Sequence, residues 1–492
     1  METLQESCEK PQMQDSAVTA KEARVAVLGA GPAGLGAAFQ LSRQGLAHAT
    51  VLEQRQEPGG NAGSFELEGI HVDYGSHRLH PACDPEILHD LQGLLGEDLL
   101  LRPRHGRIRL RGRWIHFPLR PLDLVAHLPK GFALGVGFDA LKKFFPVQDG
   151  APQTFASVLQ RALGSTICRD FYFPYARKLW GLSPEELSVT QARRRVSANS
   201  LLRMVRKVAA AIPGLKPAGA GKFYYPRLGY GQISDALFKA AKAKGTEFIF
   251  GARVTAIERE NNKIVGVGYQ VDGREQFLSS SLIWSTLPIT WLVKSIRPEA
   301  PPAVMKAADQ ISFRSMILIY LVLEQDQFTE YDAHYFPEQS VPISRLSEPK
   351  NYSSTAEPRG RTILCAELPT SPESAEWAMS DEELGRSLCS WLEQAGLPVR
   401  AKVRRVVTRR LKQAYPIYRA GYETNFEVVD RWLGEIQGLL TFGRQGLFAH
   451  DNTHHALYMA YAAAKCLNSS GAFDWTQWQE FRKIFETHVV ED

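Results

Sequence analysis

The residues best suited to chemistry begin with a hexapeptide that has no reactive side chain, Gly29-Ala30-Gly31-Pro32-Ala33-Gly34. A β-branched run, Arg24 to Leu28, leads straight into it, and Leu35 to Leu41 follows with a helical pattern. A second strand, Ala49 to Leu52, then ends in Glu53. In such a strand–turn–helix–strand unit, Gly29 permits the tight turn and Gly31 lets a pyrophosphate approach the backbone. Gly34 lets helix and strand pack closely, and Glu53 stands where an acid accepts ribose hydroxyls. The helix N-terminus offers N–H donors and the positive end of its dipole to the phosphates. These residues together point to a bound dinucleotide.

Two further groups stand out. Arg193, Arg194 and Arg195, with Arg203, Arg206 and Lys207, lie in a segment patterned as a helix. A solvated basic face explains most of them, and Arg195 is the one expected to reach an anionic substrate. His450, His454 and His455 cluster near the C-terminus, but no cysteine or carboxylate with ligand spacing accompanies them, so they are read without a metal.

The elements that must position these groups read as an α/β chain. Helices are expected over Glu86–Leu95, Pro121–Phe145, Gln153–Trp180, Ser188–Ala211, Gly231–Lys244 and Asp451–Cys466. Strands are expected over Thr246–Phe250, Val265–Val271 and Leu282–Pro288, and then over Ser312–Leu323, Arg361–Leu368 and Val403–Leu411. Gln339–Pro358 reads as a loop. The composition, 44% apolar and 23% charged, is that of a globular protein. A net charge of +5 is too small to suggest nucleic-acid binding. The six cysteines are scattered without a CxxC pair, which fits reduced thiols and a cytoplasmic location. No apolar run reaches the roughly 20 residues of a membrane helix, so no integral membrane segment is expected.

Several separated motifs resemble the FAD-dependent amine oxidase and dehydrogenase superfamily. The second glycine turn, Gly59-Gly60 with Gly63, resembles its motif beside the flavin diphosphate. Gly251-Ala252-Arg253-Val254 resembles the place where a valine backbone meets the adenine. Phe442-Gly443-Arg444 and the following helix, with Asn452, resemble the segment that closes over the flavin. The resemblance implies FAD as cofactor. It also implies an α/β fold in which a Rossmann-type FAD-binding domain is assembled from discontinuous segments. A helical insert and an antiparallel-sheet substrate domain complete it. The expected division is a disordered leader over 1–21 and FAD-binding segments over 22–85, 221–290 and 431–492. A mostly helical insert covers 86–220, and the sheet domain covers 291–430.

Within that superfamily, the chain resembles the UDP-galactopyranose mutases. Tyr74-Gly75-Ser76-His77 is similar to their histidine loop beside the reactive flavin nitrogen, and Arg109 to Arg120 to a segment with a basic residue, a tryptophan and an aromatic–proline pair. Phe173-Pro174-Tyr175 with Lys178-Leu179-Trp180 resembles their insert signature. Arg195, Tyr335, Arg345 and Arg444 match residues that hold a diphosphate. The resemblance therefore implies a nucleotide-sugar substrate, with Arg109, Phe117, Trp180, Arg195, Tyr335, Arg345 and His450 lining its site. His77, Arg345 and Arg444 are expected nearest the chemistry. It implies ring isomerisation through reduced flavin without net redox change, with NAD(P)H or another reductant priming the cofactor. Departures fall in the same place: Phe117 and His450 replace tyrosines, Arg120 replaces a glutamine, and Asn452-Thr453-His454-His455 replaces Gln-Asp-His. The alternative is a net oxidoreductase of the flavin amine oxidase or protoporphyrinogen oxidase type.

Overall fold

The computed structural model describes residues 23–120, 123, 126–142, 153–195 and 221–490. The expected leader over 1–21 lies outside the described residues. Five strands from distant parts of the chain form one parallel sheet, in the order Leu439–Thr441, Leu282–Ser285, Arg24–Leu28, His48–Glu53, Glu247–Phe250. The β-branched run Arg24–Leu28 sits at its centre because a parallel strand is covered on both faces. Val25 and Val27 point to one face, where the helices Pro32–Arg43, Gln232–Ala243 and Thr453–Lys465 pack. Ala26 and Leu28 point to the other, onto an antiparallel meander over 253–279 and the helices Ile289–Ser295 and Tyr422–Gly434.

A second, seven-stranded sheet faces this unit. Its order is Val403–Pro416, Phe313–Leu323, Thr362–Thr370, Arg345–Ser347, Ala333–Tyr335, Gly106–Leu110, Arg113–Phe117. All neighbours are antiparallel except Ala333–Tyr335 and Gly106–Leu110, which run parallel. The hairpin over 106–117 thus leaves the segment expected to be a helical insert and extends the sheet. Its register sorts the side chains. Tyr335 pairs with Ile108, and Phe117 lies on that same face, whereas Arg107, Arg109, Trp114 and His334 share the opposite face.

The insert's core gathers Phe155, Leu159, Phe173, Trp180 and Leu110. The single helix expected over Gln153–Trp180 is broken. Phe155–Leu163 ends at Gly164, a π-helical turn spans Cys168–Tyr172, and Phe173–Trp180 follows with Pro174 in its first turn. Proline has no N–H to give the preceding turn, so the chain widens there. The helix expected over Pro121–Phe145 is realised as Lys130–Lys142, and that over Ser188–Ala211 as Val189–Arg195. The remainders of both lie partly outside the described residues.

The loop expected over Gln339–Pro358 is a correction. It contains the strand Arg345–Ser347 and the helix Pro349–Ser353. Lys350 organises this stretch from inside: its buried ammonium donates to the carbonyls of Asp326, Ala356, Pro358 and Arg361 at 3.0–3.2 Å. Three-residue strands and lysine cages leave no hydrophobic period to read.

His334 is 2% exposed, edge-on to Trp114, and burial with Arg107 nearby holds its imidazole down to about 3. The unfolded chain therefore takes up this proton first. The stability from a neutral His334 is complete above the ordinary histidine pKa of about 6.5 and is lost as pH falls toward 3, at about 1.4 kcal/mol per pH unit. We expect urea unfolding at pH 7, 6 and 5 to show His334→Gln losing less stability on acidification than the native chain. Parallel pH slopes for the two proteins would contradict this assignment.

Candidate active site

The end of the candidate site at the glycine turns is built from backbone. A Cβ on Gly34 would collide with the Gly29 carbonyl, so helix and turn close only with glycine there. Gly60, at φ +54°, brings its Cα against Gly31, where a Cβ would come within 3.1 Å. The two glycine turns are thus face to face, and the Gly59 N–H donates to the Ala30 carbonyl at 2.8 Å. The buried Glu53 carboxylate accepts from Ala30 N at 2.7 Å and Arg55 N at 2.9 Å, which fixes it beside the turn with lone pairs left for hydroxyls. Gly251 N and Ala252 N donate to Arg55 O and Glu53 O, so the strand carrying the buried Val254 starts against Glu53. These residues fit a dinucleotide: bare backbone, a helix N-terminus and a positioned acid lie in one cleft.

The end at the histidine loop is built from side chains. His77 stacks on Tyr230 at 5.2 Å. Its Nε2 lies 3.0 Å from the Tyr74 carbonyl, so that nitrogen carries the proton and Nδ1 is the acceptor. Burial lowers its pKa and Asp73 opposes the shift. Asp73 is itself fixed by Ser64, Tyr225 and the Tyr230 N–H. Asn452 caps the helix Thr453–Lys465, and its N–H donates to His455 Nδ1 at 3.2 Å.

Arg345 is held by Glu367. Its Nε and Nη2 both donate to Oε1, at 3.0 and 2.7 Å, and the Ser76 N–H donates to the same oxygen at 2.7 Å. Burial disfavours the charge, but Glu367 and the surrounding tyrosines more than restore it, so the guanidinium stays charged. The pair points one edge of the fork at the carboxylate and leaves Nη1 for a ligand. Arg444 donates to the Ala414 carbonyl at 2.8 Å and lies 5.1 Å from the centre of the Tyr415 ring. Tyr415 also feels Arg345 and stacks on His450 at 5.2 Å, and His450 meets Trp180 edge-on at 6.1 Å. Tyr335 touches Phe117 at 5.5 Å and lies 6.0 Å below Arg345.

The structure therefore brings Phe117, Trp180, Tyr335, Arg345, Arg444 and His450 together around Tyr415, on the side of the histidine loop. Arg109 is elsewhere, on the opposite sheet face and ion-paired with Glu338. Arg195 ends its helix, and its side chain lies outside the described part of the chain. Its neighbour Arg194 pairs with the buried Asp451 at 3.0 Å.

Sequence reading misses Arg78, Glu367 and Tyr415. Arg78 donates to Tyr335 Oη at 2.8 Å, Tyr352 Oη at 3.0 Å and Asp332 at 3.2 Å. Tyr352 also bonds the Ser76 hydroxyl. An arginine immediately after His77 was the available signal; Glu367 lies inside an apolar strand and gave none. The histidine cluster also needs correction, because the fold does supply a carboxylate. Asp451, His455 and His488 bring their ligand atoms within 4.8 Å of one another. The imidazoles of His455 and His488 stack at 4.2 Å with planes only 13° apart. Parallel rings aim their in-plane lone pairs side by side rather than at one point, and Asp451 is already taken by Arg194 and His488. The group acts as a clamp on the C-terminal segment.

The profile of the family described as flavin-containing amine oxidoreductase matches residues 32–459. The chain belongs to that family: it is an enzyme, and its cofactor is FAD. Among curated relatives it is 26% identical over 306 residues to phytoene dehydrogenase of Streptomyces griseus, covering 56% of this chain and 57% of that one. It is 29% identical over 174 residues to the mitochondrial protoporphyrinogen oxidase of Nicotiana tabacum, 34% of each chain. These matches span little more than half of the relatives' length, or less. Among solved structures, a reduced UDP-galactopyranose mutase superposes with a TM-score of 0.77 at 20% identity, covering 92% of this chain and 97% of that one. A putative protoporphyrinogen oxidase from Exiguobacterium gives 0.69 at 17% identity, covering 90% and 98%. These likenesses establish the fold.

Lys178 secures the hairpin bearing Tyr335 and Arg345. It is 7% exposed, and its ammonium donates to the carbonyls of Phe336, Glu338, Val341 and Ile343. Lys178→Met keeps the stem but orphans these acceptors. We expect a loss of about 3 kcal/mol in urea unfolding. A loss under about 1 kcal/mol would mean that water replaces the ammonium.

Proposed function

We propose that this protein is a mutase-type flavoenzyme that isomerises the sugar ring of a nucleotide sugar, using reduced flavin and no net redox change. The observation that carries this reading is the convergence of Arg345 and Arg444 on Tyr415 beside the His77 loop. A nucleotide sugar presents a diphosphate that must be gripped while its bond to the anomeric carbon breaks. Guanidinium groups suit that task because they stay charged and bind phosphate oxygens through a planar fork. Arg345, preset by Glu367, and Arg444, preset by Ala414 and Tyr415, meet the developing negative charge without reorganising. Bound FAD, once reduced, supplies the nucleophilic chemistry at the sugar carbon. His77, neutral and with Nδ1 as acceptor, can take or return a proton close by. Trp180, Phe117 and Tyr335 present flat apolar faces suited to the sugar and base. A cytoplasmic NAD(P)H-linked donor fits the need for a primed cofactor.

The second reading is a net FAD-dependent oxidoreductase. Phe117 and His450 favour it, because they replace two tyrosine hydroxyls with groups that bind a diphosphate less well.

The test is to incubate dithionite-reduced enzyme with UDP-galactopyranose under argon and separate the products. Ring-contracted product without consumption of reductant is the expected result. Arg444→Ala should raise KM roughly 10- to 100-fold, the worth of one charge-assisted contact. Absence of product, together with bleaching of oxidised flavin by an amine or apolar donor, would replace the first reading with the second.

A further inference from the structure

The helix Lys130–Lys142 carries an outward face that nothing in the FAD site uses. Leu134, Phe138 and Leu141 are 76%, 60% and 62% exposed, the largest exposures among the large apolar side chains described. They stand at i, i+4 and i+7, so they form one stripe on one side of the helix. The opposite side is fixed to the protein. Phe132 is buried in the insert core, Gly135 approaches Thr166 so closely that a Cβ would come within 2.6 Å, and Asp139 accepts the Thr166 N–H at 2.6 Å. The stripe is therefore held outward by a rigid inner face.

The solvent-facing charge around the stripe is of one sign; the acid nearby, Asp170, is withdrawn and ion-paired with Arg111 at 2.6 Å. Asp139 is the helix's one acid, and it is turned inward to Thr166. Lys130 is exposed at the helix start, and the exposed hairpin tip carrying Arg111 and Arg113 lies beside it, with Arg111 Nη1 3.8 Å from where a Gly131 Cβ would stand. In sequence, Lys142 and Lys143 follow Leu141. An apolar stripe rimmed by cations, with its acid withdrawn, complements an interface that is greasy below and anionic above. A bilayer containing acidic phospholipids has that character. A protein partner or a second copy would more often answer such a rim with its own carboxylates around a flat apolar patch. The helix is not long or apolar enough to cross a membrane, so it would lie in the headgroup plane.

We propose that this helix docks the protein peripherally on anionic lipid bilayers through Leu134, Phe138 and Leu141, with Lys130 and Arg113 against the headgroups. This inference does not depend on the substrate assigned above. The test uses the full FAD-loaded chain, sedimented with vesicles of phosphatidylcholine alone and of phosphatidylcholine with phosphatidylserine. Binding should require the acidic lipid, weaken with added salt, and fall roughly tenfold or more in the double variant Leu134→Glu, Phe138→Glu. Phe277→Glu, at another exposed apolar residue on a distant strand, should leave binding unchanged. FAD content and unfolding temperature of the double variant serve as the folding check, since both side chains are largely in solvent. Should the double variant fail that check, Lys130→Glu alone must weaken binding to acidic vesicles. Equal binding by the native and variant chains would overturn the proposal. So would a native chain that ignores acidic vesicles but forms a dimer abolished by the same substitutions.

Discussion

Two glycine turns from different parts of the chain must stand nearly in contact, and much of the architecture follows from that approach. Phosphate groups are held by backbone N–H donors, which a side chain would cover. Gly31 and Gly60 leave that backbone bare, and the Gly59 to Ala30 hydrogen bond locks one turn onto the other. Once they are locked, Glu53 must turn back to Ala30, and the strand bearing Val254 must begin at the Glu53 carbonyl. The C-terminal strand must then add at the sheet edge, so that Arg444 arrives after Thr441. The discontinuous parallel sheet is the means of bringing these pieces to one place.

Around this cradle, the protein handles buried charge by pairing or caging it. Arg345 has Glu367, Arg78 has Asp332 and two tyrosines, Arg194 has Asp451, and two lysines are each surrounded by four carbonyls. A buried charge without a partner costs several kcal/mol, and a well-paired one costs little while fixing geometry. The two lysines sit under stretches, 336–343 and 354–361, that lie outside the sheet strands. The cages therefore stand in for regular structure in the two connections that flank the strand Arg345–Ser347 and the helix Pro349–Ser353.

What could be read from sequence follows from how local each signal is. The fingerprint at Gly29, Gly31, Gly34 and Glu53 is legible because the chemistry depends on spacing within one βαβ unit. Long apolar strands such as Phe313–Leu323 are legible because burial on both faces leaves a continuous run. The strand Arg345–Ser347 is too short to show a period, and the hairpin over 106–117 joins a sheet whose other strands lie hundreds of residues away. Arg109 illustrates the limit well. It stands in a motif that resembles the mutase segment, but strand alternation turns it to the face away from Tyr335, and sequence alone does not say which face the cavity takes.

The same alternation explains how one thin sheet serves two surroundings. On one face, Ile108, Phe117 and Tyr335 look toward the aromatic cleft with Arg345 and Tyr415. On the other, Arg107 lies between Trp114 and Tyr331, at 4.2 and 4.5 Å from their ring centres, and seals His334 beneath. The parallel pairing of Ala333–Tyr335 with Gly106–Leu110 carries this division across the seam between two segments of the chain. A one-residue slip at that seam would put the neutral buried His334 in the cleft and drive Tyr335 out of it. The Arg78 bond to Tyr335 and the Asp332 contacts to Arg78 and the His105 N–H act at the strand's two ends to forbid that slip. Arg78 adjoins His77, so the register of the sheet and the position of the histidine loop are set by the same side chain.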